Sequence, residues 1–196
     1  MSALHVVLIV AALILIYVVI MHNMLVRLRQ HCKESWSGID TELKRRYDLI
    51  PNLVETVKGY AKHERQVLQR VIEARRRAVA SAGSPESQAR DENALVGTLR
   101  QLFAVAEGYP PLKASQNFLQ LQSELANTED RIQAARRFYN ANVRDLNTRI
   151  EVFPSNLIAR AMGFQKAEYF EIEDSGIRAA PAVSLGRQPA GPPAEG

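Results

Sequence analysis

The chain has 196 residues, of which 46% are hydrophobic and 23% charged, with a formal net charge of +4. That length suits one domain plus a tail, and so mild a basic excess does not by itself mark a nucleic-acid-binding protein. One cysteine, Cys32, excludes an intrachain disulfide and any cysteine-based metal site.

Residues 6–21 read VVLIVAALILIYVVIM, without a charge, and the flanking residues extend this apolar stretch from residue 4 to residue 26. A helix needs about 20 mostly apolar residues to cross roughly 30 Å of hydrocarbon, so residues 1–26 are predicted to be a transmembrane anchor in contact with the lipid bilayer through residues 4–26. A cleaved signal peptide would carry a basic start and a small-x-small cleavage site. MSALH has neither Lys nor Arg, and VVIMHNML offers no such site. Arg27, Arg29 and Lys33 follow the stretch and no Lys or Arg precedes it, which predicts a single pass with the N-terminus outside and the body in the cytoplasm.

Beyond the anchor, apolar residues recur at helical spacing. The first stripe is Leu25, Leu28, Cys32, Trp36, Ile39, Leu43, Tyr47 and Ile50, continuing the anchor helix and making Cys32 a small buried hydrophobe. Pro51 marks either a kink or a break between two helices; Asp48, three residues earlier, is placed to cap a new start. A second stripe (Leu53, Val54, Val57, Tyr60, Ala61, Leu68, Val71, Ile72, Val79) runs to the turn SAGSPES, where Gly83 stops one helix and Pro85 starts the next. A third helix is expected over residues 86–107, with Leu95, Leu99, Leu102, Phe103 and Ala106 inward. In the fourth, eleven positions from Phe118 through Leu121, Leu125, Thr128, Ile132, Ala135, Tyr139, Val143, Leu146 and Ile150 to Phe153 advance 35 residues in ten steps, a mean of 3.5. That is the coiled-coil period. Pro154 ends it, and a short helix is expected over residues 155–162, stopped by Gly163. The segment EYFEIE (168–173) reads as a short strand or as extended chain laying Tyr169 and Phe170 on the body. The tail, residues 174–196, holds four Pro and four Gly within its last 22 residues and is read as disordered. The predicted fold class is thus all-α: an anchor, an elongated antiparallel four-helix-like bundle over residues 27–173, and the tail.

Two long stretches, SWSGIDTELKRRYDLIPNLVETVKGYAKHE (35–64) and YPPLKASQNFLQLQSELANTEDRIQAARRFYNANVRDLNTRIEVFPSNLIARAMGF (109–164), resemble the LemA family. The resemblance runs from the anchor to about Phe170. Its most specific motifs are KRRYDLIPNLVETVKGY and ARRFYN, with Leu146 where an aromatic residue is expected and Ser35 where Ala is more usual. It implies a bacterial membrane protein with one N-terminal anchor and an all-α, four-helix-like body, and it brings no catalytic residues to carry over; the cytoplasmic (inner) membrane is the expected location.

No nucleophile motif, Gly-rich phosphate loop or HExxH occurs, and neither an enzyme activity nor a cofactor, a metal or a small-molecule substrate is expected. The candidate partner-contact patch is Asp40, Lys44, Arg45, Arg46 and Asp48, a charged run otherwise read as a solvated helix face. It lies roughly 30 Å beyond the anchor at a helical rise, past the ~8 Å screening length, which favours a protein partner over lipid headgroups. An enzyme using Asp48, His63 and Glu64, with Tyr60 nearby, is the rival reading; a membrane-tethered regulator is a third. ARRR (74–77) and ARRFYN (135–140) are basic with aromatic neighbours, but interleaved acids make them solvated faces, and no nucleic-acid partner is expected. Asn52, Asn117, Asn140, Asn147, Asn156 and Thr128 form a polar set on or near the apolar stripes, suited to fixing register. Self-association or contact with other membrane proteins is the expected role.

Overall fold

The computed structural model describes residues 2–172; the predicted disordered tail, 174–196, lies outside them. Those residues form six helices and no strand: α1 (Ala3–Tyr60), α2 (Arg65–Ala80), α3 (Pro85–Glu107), α4 (Pro110–Lys113), α5 (Gln116–Glu151) and α6 (Ser155–Ala161).

α1 is continuous for 58 residues and contains Pro51. The proline neither ends the helix nor begins another. The break falls instead at residues 61–64, where the Ala61 amide still reaches the Val57 carbonyl at 2.8 Å and the Glu64 amide turns onto the Ala61 carbonyl at 3.1 Å. The second stripe is therefore shared by two helices, and Tyr60, Ile72 and Val79 are exposed, while Ala74 and Ala78 take the inward positions on α2. At α3 the turn is built as its residues demand: Ser84 caps the helix by accepting from the Ser87 amide, and Pro85 occupies the first turn, where its missing N–H costs nothing.

α5 runs antiparallel to α1, since residue pairs along the contact count in opposite directions: Asn142 donates to the His31 carbonyl at 3.3 Å, Arg131 faces Glu42, and Glu129 holds Arg46. α2 folds back along the far end of α1, Arg75 donating to the Tyr47 carbonyl at 2.6 Å, and packs on α3. The stripe of α5 faces inward as expected except at its end: Phe153 is 74% exposed.

The apolar interior falls into two clusters. The distal one joins the end of α1 (Ile50 to Val57) to α2, the later part of α3, α4 and the start of α5. The proximal one joins α1 from Leu25 to Leu43 with α5 from Ile132 to Ile150, α6, and the chain that follows α6. Fully burying a Leu or Ile side chain stabilises by roughly 1.5–3 kcal/mol, and Leu25, Ile39, Ile50, Leu53, Leu95, Leu99, Leu102 and Ile132 are all at 0% exposure. The apolar N-terminal part of α1 has no such cover: Leu4, Val7, Leu13 and Leu15 are each more than 60% exposed.

α6 ends in a Schellman turn, with the Phe164 amide on the Ala159 carbonyl at 2.9 Å and Gly163 at φ 70°, a conformation that favours glycine. From there the chain is extended to Ile172. Residues 168–172 of the EYFEIE segment are thus extended chain, with Phe170 and Ile172 buried and Tyr169 exposed.

Candidate functional site

The charged run on α1 divides. Asp40, Lys44, Arg45 and Asp48 are exposed. Arg46 is not: at 1% exposure it is fully enclosed, which removes it from the predicted patch. Its guanidinium donates to Glu129 of α5 at 2.9 Å and to Glu92 of α3. Both carboxylates are buried too and carry further bonds, Glu129 from the Gln133 amide at 2.9 Å and Glu92 from the Tyr47 hydroxyl. One cation and two carboxylates are tolerable in an interior only with such bonding, because an isolated buried charge costs several kcal/mol. Burial, then the Glu92 charge and the bond it accepts, push the Tyr47 phenol far above its ordinary pKa; Asp40 adds to this and Arg46 opposes it. Position explains why these ions are inside: Arg46 stands three residues after Leu43 and four before Ile50, Glu129 four after Leu125 and three before Ile132, and Glu92 three before Leu95. Each stands at helical spacing from buried apolar residues, beside its helix's stripe. The cluster lies between the distal and proximal cores and joins α1, α3 and α5.

The Asp48–His63–Glu64 set is not gathered. Asp48 is exposed on α1, twelve residues or about 18 Å of helix before its end. His63 is exposed in the following turn. Glu64 is half-buried and accepts from the Tyr109 hydroxyl at 3.3 Å. Among the described residues no three His, Cys, Asp or Glu side chains stand close enough to hold a metal ion. Cys32 is buried, and that burial, with the Asp145 charge, pushes its thiol up. Of the two basic motifs, Arg75 is spent on the Tyr47 carbonyl and Arg136 on the Ile172 carbonyl.

Two of the asparagines make the second ordered feature. Asn147 donates to the Ala167 carbonyl and accepts from the Ala167 amide, both at 2.9 Å. Asn140 does the same at Phe170, at 3.0 and 2.9 Å. A carboxamide presents one acceptor and one donor side by side, so it pairs with a peptide unit as a neighbouring strand does. The spacing matches: seven helical residues span about 10.5 Å and three extended residues about 10 Å. Arg136 on Ile172 continues the ladder, Tyr139 donates to the Glu168 carbonyl at 2.9 Å, and Asn93 of α3 donates to the Glu171 carbonyl at 3.3 Å. Trp36 meets Tyr139 and Phe170 edge-on at 5.2 and 5.1 Å. Burial, with the neighbouring Cys32 and Glu168, raises the Tyr139 phenol to about 12. Of the rest of the polar set, Thr128 donates to the Glu124 carbonyl of its own helix at 2.8 Å, Asn52 and Asn117 are exposed, and Asn156 is half-buried.

Residues 35–185 match the LemA family. Among similar proteins, magnetosome protein MamQ 2 of Paramagnetospirillum magneticum is 28% identical over 200 residues, covering 89% of this chain and 72% of its own. Magnetosome protein MamQ of Magnetospirillum gryphiswaldense is 24% identical over 180 residues, 79% of this chain and 66% of its own. Protein LemA of Metamycoplasma hominis is 26% identical over 155 residues, 78% and 69%. The match spans most of the chain, and the chain belongs to the LemA family.

Proposed function

On the premise of that membership, we propose that the protein is a single-pass membrane protein whose helical body acts in assembly, scaffolding or membrane organisation rather than in catalysis. The observation that carries this is α1, which runs without interruption from an uncovered apolar stretch into the packed interior of the body. Large contiguous apolar surface is not left to water, and a bilayer is the medium that fits a helix of this length. The body is read as an antiparallel four-helix-like bundle with coiled-coil character along α5. Its exposed helical faces, among them Asp40, Lys44, Arg45 and Asp48, are offered for self-association or for other membrane proteins. The similarity to magnetosome proteins favours organisation as the process. The dispersed positions of Asp48, His63 and Glu64 weigh against the enzyme reading.

The inner membrane is the expected location, with the body on the cytoplasmic side. Alkaline carbonate extraction should leave the full chain in the membrane pellet; release into the supernatant overturns the anchor. Protease added to spheroplasts should spare the body, and its digestion reverses the orientation. Crosslinking in membranes should trap a defined species that Lys44→Glu with Arg45→Glu diminishes; crosslinking that is indifferent to that pair sinks the patch.

A further inference from the structure

We propose that the corner where α5 turns into α6 is a second membrane contact, an interfacial wedge that lies in the headgroup layer beside the point where α1 leaves the bilayer. The inference rests on the anchor reading above. Three observations carry it.

The first is exposure. Val152, Phe153, Leu157 and Met162 are 47, 74, 58 and 51% exposed, four large apolar side chains within eleven residues. Single exposed apolar residues are ordinary on a protein surface, but a cluster marks a contact. The other side of the same segment is committed inward: Ile158, Ala159 and Ser155 are buried.

The second is level. α6 packs on α1, and Phe164 just beyond it meets the His22 ring at 5.8 Å and lies under the Arg29 guanidinium at 5.3 Å. Burial on α1 correspondingly begins near Val18 and is complete at Leu25. Counted from Leu4 at about 1.5 Å per residue, roughly 30 Å of hydrocarbon ends near residue 23. The body therefore meets α1 at the depth of the membrane–water boundary, and the exposed apolar side chains are at that depth too.

The third is charge. Arg27, Arg149 and Arg160 are exposed around the corner. The sequence has no carboxylate before Glu34, and Glu151, the one carboxylate between positions 149 and 166, is paired with Lys166. Apolar side chains rimmed by arginines suit an anionic lipid surface, the rings and aliphatic chains entering the acyl boundary while the guanidinium groups reach phosphate.

The test uses the full chain carrying Cys32→Ala, in nanodiscs of phosphatidylglycerol and phosphatidylcholine, with a nitroxide label at one position at a time: Leu13→Cys, Lys44→Cys, Phe153→Cys or Leu157→Cys. Power saturation reads collisions with oxygen, which partitions into lipid, against those with a nickel chelate, which stays in water. At positions 153 and 157 the oxygen-to-nickel ratio should exceed that at 44 several-fold and fall short of that at 13. A ratio at 153 and 157 equal to that at 44 overturns the wedge while leaving the anchor intact. Shielding from both quenchers overturns it as well, since a second copy or another protein then covers the corner. A water-like ratio at 13 instead overturns the anchor itself. Should the label at 157 prevent folding, Met162→Cys gives the same reading.

Discussion

The two cores are closed by different means. The distal one is sealed by side chains of five helices that meet directly, and Ile50, Leu53, Leu95, Leu99 and Leu102 within it are excluded from water without a polar partner. In the proximal one, α1 and α5 are covered partly by extended chain, which cannot satisfy its own peptide groups as a helix does. Asn140, Asn147, Tyr139 and Arg136 supply that satisfaction from the flank of α5. Helix against helix needs only matched apolar stripes, whereas extended chain against helix also needs side chains that imitate a strand. The far core is thus a product of pattern, and the near core a product of individual residues. The Arg46 cluster is where the two meet.

The largest expected effect breaks both at once. Arg46→Ala leaves Glu92 and Glu129 buried without their cation and should destabilise by about 3–5 kcal/mol, read by urea unfolding in detergent micelles. Unchanged stability would show that the two cores do not depend on their junction. Leu99→Ala removes four heavy-atom positions' worth of contact less one methyl from the distal core alone, for about 2–5 kcal/mol. Hydrogen exchange should rise first in α2 and α3, and an equal rise along residues 164–172 would erase the distinction between the cores. Asn147→Ala should cost less, about 1–3 kcal/mol at most, for the half-buried Ala167 peptide groups it strands. It should free residues 164–172 to exchange while the distal helices keep their protection; no local change would remove the ladder from the account.

The smallest effect is on pH. The Tyr139 phenol rises from 10 to about 12 on folding, so between those values the folded chain holds a proton the unfolded chain has lost. Its contribution is full below pH 10 and falls away as pH climbs toward 12. Tyr47 is shifted in the same direction. Tyr139→Phe should therefore flatten only part of the alkaline loss in a melting-temperature profile. An unaltered slope would place Tyr139 in water.

Most of the helices were legible because their stripes are long and interrupted by strong punctuation: Ser84 with Pro85 before α3, Pro154 after α5, Gly163 after α6. Pro51 left a kink and a break both open because a proline does not always end a helix, and the stripe on its two sides stays in phase, as the single helix α1 requires. The true break at residues 61–64 carries no proline or glycine, and Ala61 and Leu68 keep the apolar pattern going across it. Arg46 was hidden by its neighbours, since a charged residue within KRRYD reads as solvated. Its partners lie 46 and 83 residues away, beyond any local pattern. The usable signal was positional: Arg46, Glu92 and Glu129 all stand at helical spacing from apolar residues. The asparagine ladder was half legible: polar residues stood near the stripe of α5 and EYFEIE read as chain laid on the body, but the pairing of Asn147 with Ala167 and of Asn140 with Phe170 was not, because it joins residues 20 and 30 positions apart.

The continuity of α1 gives the protein a mechanical property. With no joint between residue 26 and residue 60, about 51 Å of helix, a tilt of ~20°, ordinary for membrane helices, displaces its far end sideways by roughly 17 Å. If α1 spans the bilayer as proposed, a membrane that thins or thickens resets that tilt, and the distal helices register local membrane thickness as a lateral swing, on the lever arm that α1 provides.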